Sequence, residues 1–194
     1  GGFLPVFYFD FLEGYHYEPS EVSVYMDDDN KLKIKVEGYW YRTILWEVPL
    51  MAIISQLYFE MTGHEFNRQD LREKRFQNNT EKALNLHLST VKFADFGTRR
   101  RFSFENQKEV IDDLKQYGSN SFVGTSNVYF AYLFNIKPIG THAHEWFMAH
   151  SALYGYKMAN KMGLKHWVEA YNGSLGIALT DTFTSDVFLR QFDM

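Results

Sequence analysis

A chain of 194 residues with 45% hydrophobic content is long enough to bury a sizeable core, and its composition does not read as disorder. A net charge of −4 argues against general nucleic-acid or anionic-membrane binding, because both need a basic face to gain counterion-release energy. The sequence holds no cysteine, which excludes disulfides and thiolate metal sites and fits a cytoplasmic protein, and no apolar run reads as approaching the roughly 20 residues that span a bilayer.

Residues 22–36 read as a hairpin. "EVSVYM" leads into Asp27-Asp28-Asp29-Asn30, after which Leu32, Ile34 and Val36 alternate with Lys31, Lys33 and Lys35. A further short strand is expected at Tyr41–Trp46. Pro49 suits the first turn of a helix whose apolar positions are Leu50, Ile53, Ile54, Leu57, Tyr58 and Met61, with Gly63 as terminator. Asn67 to Leu88 reads as one or two charged surface helices.

After residue 90 the pattern becomes strand, loop, helix, four times over. The predicted strands are 91–95, 121–124, 137–140 and 176–181. The helices between them are capped by Ser103, by Ser126 or Asn127, and by Thr184 or Ser185, and one helix is expected to run from Glu145 to Gly163. This predicts an α/β fold with an α+β N-terminal part. It divides as a β domain (1–47), connecting helices (48–90) and about half of an α/β barrel (91–194). The chain opens on Gly1-Gly2-Phe3 and stops at Asp193-Met194, just into an apparent helix, so it reads as a piece of something longer.

Chemistry in parallel α/β folds gathers in loops at the C-terminal strand ends. Here those loops are Asp95-Phe96-Gly97-Thr98-Arg99-Arg100-Arg101, Gly124-Thr125-Ser126-Asn127, Gly140-Thr141-His142-Ala143-His144 and Asp181-Thr182. Two repeat Gly-Thr before a helix N-terminus, where free N–H groups favour anions. Three successive arginines add planar forks that match phosphate and carboxylate. Each feature has a bland reading: a solvated basic patch, turn and cap chemistry, or hydrogen-bonded structural histidines. Four such loops at equivalent positions favour a site that takes a multiply anionic ligand.

The pair His142 and His144 leaves two readings open. Barrel metallohydrolases begin a metal site with His-x-His but need further ligands, for which Asp181 is the one good candidate. A phosphate on His144 would instead meet the N-terminal N–H donors of the following helix, whose dipole opposes a bound cation. The residues lean to phosphate and to no metal on the histidines.

The segments "FADFGTRRRFS", "FVGTSNVYFA", "GTHAHEWFMAH" and "GIALTDTFTSDVFLR", in this order, resemble the bacterial nicotinate phosphoribosyltransferase family, and "YWYRTILWEVPLMAIISQLYFEM" resembles its entry into the barrel. The resemblance implies an irregular α/β barrel of the type II phosphoribosyltransferase kind. It implies transfer of phosphoribosyl from 5-phosphoribosyl-1-pyrophosphate to nicotinate, giving nicotinate mononucleotide and pyrophosphate in NAD salvage. ATP would be a co-substrate, Mg2+ would accompany the phosphates, and the active site would lie at the interface of a homodimer. The family's phosphohistidine falls on His144, and His142 occupies a variable position. By the same resemblance Phe96 stacks on the pyridine ring, while Gly97, Thr98, Arg99 and Arg100 contact substrate. Thr125 and Ser126 line the pyridine pocket, and Asp181 approaches the ribose or the metal–pyrophosphate.

The nicotinamide-using relative carries an acid near the Ser126 position, so a serine there suits a carboxylate substrate. The family's Thr-Asp-x-Tyr-Lys, Asp-Ser-Gly-Asp and glycine-rich phosphate motifs are not in these residues. The chain by itself is therefore expected to be inactive. Nicotinamide or quinolinate phosphoribosyl transfer, a metal-dependent barrel hydrolase using His142 and His144, and a non-catalytic homologue are the alternatives.

Overall fold

The computed structural model describes residues 4–63 and 69–192. They fall into two compact units, one formed by His16–Ile139 and the other by Gly140 onward together with the chain up to Tyr15. The reading of Asn67 and its immediate neighbours as a helix start lies outside the described residues.

In the His16–Ile139 unit, β1 (Val22–Met26) and β2 (Leu32–Val36) pair antiparallel, from Val22 opposite Val36 to Met26 opposite Leu32. The turn is closed by Asp27, whose Oδ1 accepts from the Asp29 and Lys31 N–H groups, with Asn30 in the left-handed region at φ 58°. The strand expected at Tyr41–Trp46 is helical instead. Helix α2 (Trp40–Thr43) runs through a 3-10 turn at Ile44–Trp46 into α3 (Glu47–Met61).

The physical reason is Glu21. Arg42 Nε donates to Glu21 Oε1 at 2.6 Å and Trp46 Nε1 to Oε2 at 2.9 Å. Side chains four apart stand about 6 Å from each other on a helix but about 13 Å apart along a strand, so one carboxylate can grip both only in the helical form. These donors hold the Glu21 carboxyl below the usual range, the Arg42 bond contributing most. The helical run Trp40–Met61 is also longer and more apolar than the sequence reading allowed. Within its 22 residues one 18-residue window reaches a mean hydropathy of 1.2, which meets the length and composition of a membrane span, yet the run carries Arg42, Glu47 and Glu60. Only Ala52 of α3 is buried, and Ile53, Leu57, Tyr58 and Met61 are exposed.

Helix α4 (Gln69–Leu88) is one helix, lying against α5 (Phe104–Gly118). Ala83 is fully buried and lets the two axes approach. Arg72 and Arg75 both reach Glu109, at 3.0 and 3.2 Å, and Asn79 donates to Asp113 at 3.0 Å. Burial raises the Asp113 pKa against that bond. The core joins Ala83, Ile111 and Leu114 to Phe122 and Phe130, with Phe93, Phe104 and Phe134 packed around them.

Strands β3 (Phe93–Asp95) and β4 (Phe122–Thr125) pair in parallel, aligning Asp95 with Thr125. The expected strand at 137–140 is reduced to a single parallel bridge between Thr125 and Pro138. Gly124 permits that bridge, since a Cβ there would fall on the Lys137 carbonyl. Helix α6 (Val128–Phe134) follows β4, capped by Asn127 rather than Ser126: Asn127 Oδ1 accepts from Phe130 N.

The other unit holds α1 (Val6–Gly14), α7 (His144–Tyr154), α8 (Tyr156–Tyr171) and α9 (Ser185–Gln191). The single helix expected from Glu145 to Gly163 is two helices. Gly155, at φ 75° and ψ 157°, separates them with a backbone conformation that L side chains rarely adopt. Gly163 ends nothing; it is buried inside α8, where a Cβ would stand 3.0 Å from the Phe147 ring, and its carbonyl accepts from Trp146 Nε1. Residues 176–181 form no strand, although Ile177 O accepts from His142 N at 2.9 Å. Thr184 caps α9 as expected, accepting from Val187 N.

Candidate active site

In the β3–β4 unit, the strand ends and the loops after them are bound together through one carboxylate. Asp95 Oδ1 accepts from Gly97 N at 3.0 Å, and Oδ2 accepts from Thr125 Oγ1 at 2.8 Å and from Gln107 Nε2 at 2.9 Å. Asp95 also receives Ser126 N on its main-chain oxygen at 2.8 Å. Thr98 Oγ1 accepts from Gln107 Nε2 and from Asn127 Nδ2, at 2.9 and 3.0 Å. Parallel pairing of β3 with β4 is what sets the Asp95 and Thr125 side chains beside each other.

Of the three residues after Gly124, Thr125 and Asn127 commit their side chains to this network, whereas Ser126 joins it through its main-chain N–H alone. Thr125 is fully buried, its hydroxyl directed to Asp95. Phe96, next to Asp95 in sequence, has a half-exposed ring.

The three arginines part ways. Arg99 Nη1 donates to Glu47 Oε1 at 2.5 Å, both side chains being roughly half exposed. Arg100 is exposed. Arg101 turns back over the Phe104 ring, 5.2 Å from its centroid, and burial lowers its pKa. Its carbonyl accepts from Ser55 Oγ, and Gln56 Oε1 accepts from Phe104 N, so α3 anchors the far end of the loop.

In the other unit, His144 is the first residue of α7. Its Nδ1 lies 2.9 Å from Thr182 Oγ1, and its Nε2 lies 3.7 Å from Asp181 Oδ1. The ring is thus flanked by a hydroxyl on one nitrogen and a carboxylate near the other. With Asp181 as partner to an Nε2–H, the Nδ1 lone pair faces the Thr182 hydroxyl; the opposite tautomer reverses the roles. Either leaves an imidazole held in orientation at a helix N-terminus, where a transferred phosphoryl group is favoured.

His142 is oriented otherwise. It is 3% exposed, with its ring 4.1 Å from Trp167 and 5.8 Å from Phe147. Burial lowers its pKa, favouring the neutral ring. Its main chain ties the loop down through His142 N to Ile177 O and Thr141 Oγ1 to His142 O. An adjacent pair, His150 and His166, shares a 2.9 Å hydrogen bond between α7 and α8 and stands apart from the His144 cluster in sequence and in bonding. Among the described residues no group of three or more His, Cys, Asp or Glu could hold a metal ion.

Sequence reasoning named Thr182 in the Asp181-Thr182 loop but gave it no role, and it missed Gln107 and Glu47, which carried no signal.

Two family models match this chain. One, described as the nicotinate phosphoribosyltransferase family, covers residues 91–194, and the other, that family's N-terminal domain, covers residues 2–55. The chain belongs to the nicotinate phosphoribosyltransferase family. It is 51% identical to a nicotinate phosphoribosyltransferase of Desulforapulum autotrophicum and 47% identical to one of Chromohalobacter salexigens. Each match takes in 98% of this chain and 48% of the relative. The crystal structure of the Porphyromonas gingivalis nicotinate phosphoribosyltransferase superposes with a TM-score of 0.92 at 42% identity, over 98% of this chain and 48% of that one. The Vibrio cholerae structure gives 0.85 at 34% identity, over 98% and 46%. The fold is therefore the α/β fold of this family, and the chain spans about half the length of the curated relatives it matches.

Proposed function

We propose that the full-length protein transfers phosphoribosyl from 5-phosphoribosyl-1-pyrophosphate to nicotinate, releasing pyrophosphate and nicotinate mononucleotide, in the cytoplasm and as a homodimer. The observation that carries this reading is His144 at the start of α7, flanked by Thr182 on Nδ1 and Asp181 near Nε2. That is the arrangement an acceptor of the ATP γ-phosphoryl group needs. A ring nitrogen lone pair bonds to phosphorus, ADP leaves, and water later releases phosphate.

Phosphoribosyl transfer proceeds through an oxocarbenium-like centre, so positioning and charge stabilisation matter more than proton transfer. Phe96 would stack on the pyridine ring, with Gly97 and Thr98 shaping its edge. Arg99 and Arg100 would meet the carboxylate or the phosphoribosyl group, Arg99 by giving up or sharing Glu47. Ser126 offers the uncommitted hydroxyl, and Thr125 acts through Asp95. Asp181 is exposed and presents hard oxygen donors. It fits Mg2+, which is held by one or two carboxylates plus phosphates rather than by a full protein cage. When bound, Mg2+ would neutralise phosphate charge. His142 is buried against Trp167 while His144 is bonded to Thr182, which counts against the hydrolase reading.

The test offers the full-length protein nicotinate, nicotinamide and quinolinate separately, with 5-phosphoribosyl-1-pyrophosphate, Mg2+ and ATP. Mononucleotide from nicotinate, faster with ATP, is expected. His144→Asn should abolish acid-labile labelling from ATP and its stimulation while His142→Gln keeps both. Product from none of the three pyridines overturns the reading.

A further inference from the structure

We infer that Gln107, on α5, is a positioning residue that sets the spacing between the 96–100 loop and the 125–127 loop by way of the Asp95 carboxylate. The inference rests on those loops being the pyridine site. Positions 107, 111, 114 and 118 lie on one face of α5 and are all buried. Three are Ile111, Leu114 and Gly118, as a packing face requires; the fourth, at the mouth end, is a glutamine with 3% exposure.

Its orientation is fixed by chemistry. The two hydrogens of Nε2 go one each to Asp95 Oδ2 and Thr98 Oγ1, both at 2.9 Å. A flipped amide would set oxygen against the carboxylate. Its Oε1 is buried with no partner among the described residues, so all of the side chain's hydrogen bonding runs through its nitrogen. From Asp95 the constraint passes to Gly97 N, Thr125 Oγ1 and Ser126 N, and from Thr98 to Asn127, the cap of α6. Gly97 has no room to give, since a Cβ there would stand 2.9 Å from Asp95 Oδ1. Gln107 touches no ligand atom in this account; it acts through Asp95 and Thr98 on where Phe96 and Ser126 point.

The test compares Gln107→Glu and Gln107→Leu with the unaltered full-length protein. Two carboxylates in contact repel once both are ionised, which raises the pKa of the second, and while the glutamic acid stays protonated it replaces one of the amide's donors. At about pH 8, Gln107→Glu should raise the nicotinate KM by on the order of 10-fold or more with kcat changed far less. Acidification to about pH 6 should bring the KM back toward the unaltered value, while Gln107→Leu keeps a raised KM at both pH values. A Gln107→Glu KM that is unaltered throughout, or raised equally at both, overturns the inference. Amide-exchange protection of residues 96–100 and 125–127, corrected for intrinsic rates, is read in the same proteins without substrate. It should fall in Gln107→Glu at the higher pH and recover at the lower. If no pyridine is turned over the functional reading has failed, and protection that never departs from the unaltered protein would then sink the clamp as well.

Discussion

Thr182 Oγ1 lies 2.9 Å from His144 Nδ1 although 38 residues separate them. A hydroxyl at that distance fixes the ring plane and couples its tautomer to the loop that also carries Asp181. Thr182→Val keeps the shape and removes the bond. Acid-labile labelling of His144 from ATP should slow by on the order of 10-fold, because an unheld ring spends less time aligned for attack. Thr182→Ser should restore most of the rate. The measurement is initial labelling against time, and equal rates for the two variants would show that the hydroxyl is idle.

Arg99 should matter for binding and hardly for stability. Its pair with Glu47 is about half exposed, and such pairs contribute at most about 1 kcal/mol. Arg99→Ala should therefore leave the unfolding midpoint nearly unchanged while weakening nicotinate binding, measured by titration calorimetry on the full-length protein. A large stability loss with intact binding would reverse the assignment.

His142 makes the Gly140–Met194 part acid-sensitive. Burial lowers its folded pKa, while the unfolded chain keeps about 6.5. The unfolded state thus binds the proton first. The stability is fully present above about pH 6.5 and is lost as pH falls from there through the depressed folded value. Denaturation midpoints followed from neutral to mildly acid pH should decline in this window, and His142→Phe should flatten the decline. An identical slope in the variant would assign the acid sensitivity elsewhere.

Phe130 anchors the His16–Ile139 core. It is fully buried, 4.9 Å from Phe104 and in contact range of Tyr129 and Phe134. Phe130→Ala should cost about 3–5 kcal/mol, since the surrounding rings can close only part of the space. Urea unfolding with an unchanged m-value gives the number directly, and a loss under about 1 kcal/mol would mean the cavity collapses freely.

Features encoded over a few residues were legible in the chain. Ser103, Asn127 and Thr184 announce their helices because a cap bonds only two or three residues onward. The Asp27–Asn30 turn likewise fixes its hairpin. The misread stretches depend on distant partners. The stretch 41–46, with aromatic ends and β-branched residues between, has strand propensity, but Glu21, about twenty residues earlier, selects a helix. Residues 176–181 are as apolar as a strand yet pair with none, and pairing is decided by the neighbour. Gly155 lies inside the helix expected from Glu145 to Gly163, and only its backbone conformation, which composition does not show, divides it. In the site, His144 and the 95–101 loop were visible through motif chemistry. Gln107 was not, because a glutamine on an amphipathic helix says nothing about a carboxylate twelve residues away.

Trp167 rests 4.1 Å from the His142 ring, and Trp146, 5.6 Å from Trp167, reaches His150 on its other side. An imidazolium in contact with an indole quenches its fluorescence where a neutral imidazole does so less. The protein therefore carries its own optical reporter of the Gly140–His144 loop. Emission from Trp167 should dim as His142 takes up a proton and recover as the loop carries that ring off the indole. Stopped-flow mixing with ATP could then time any movement of the loop that presents His144, with no dye attached.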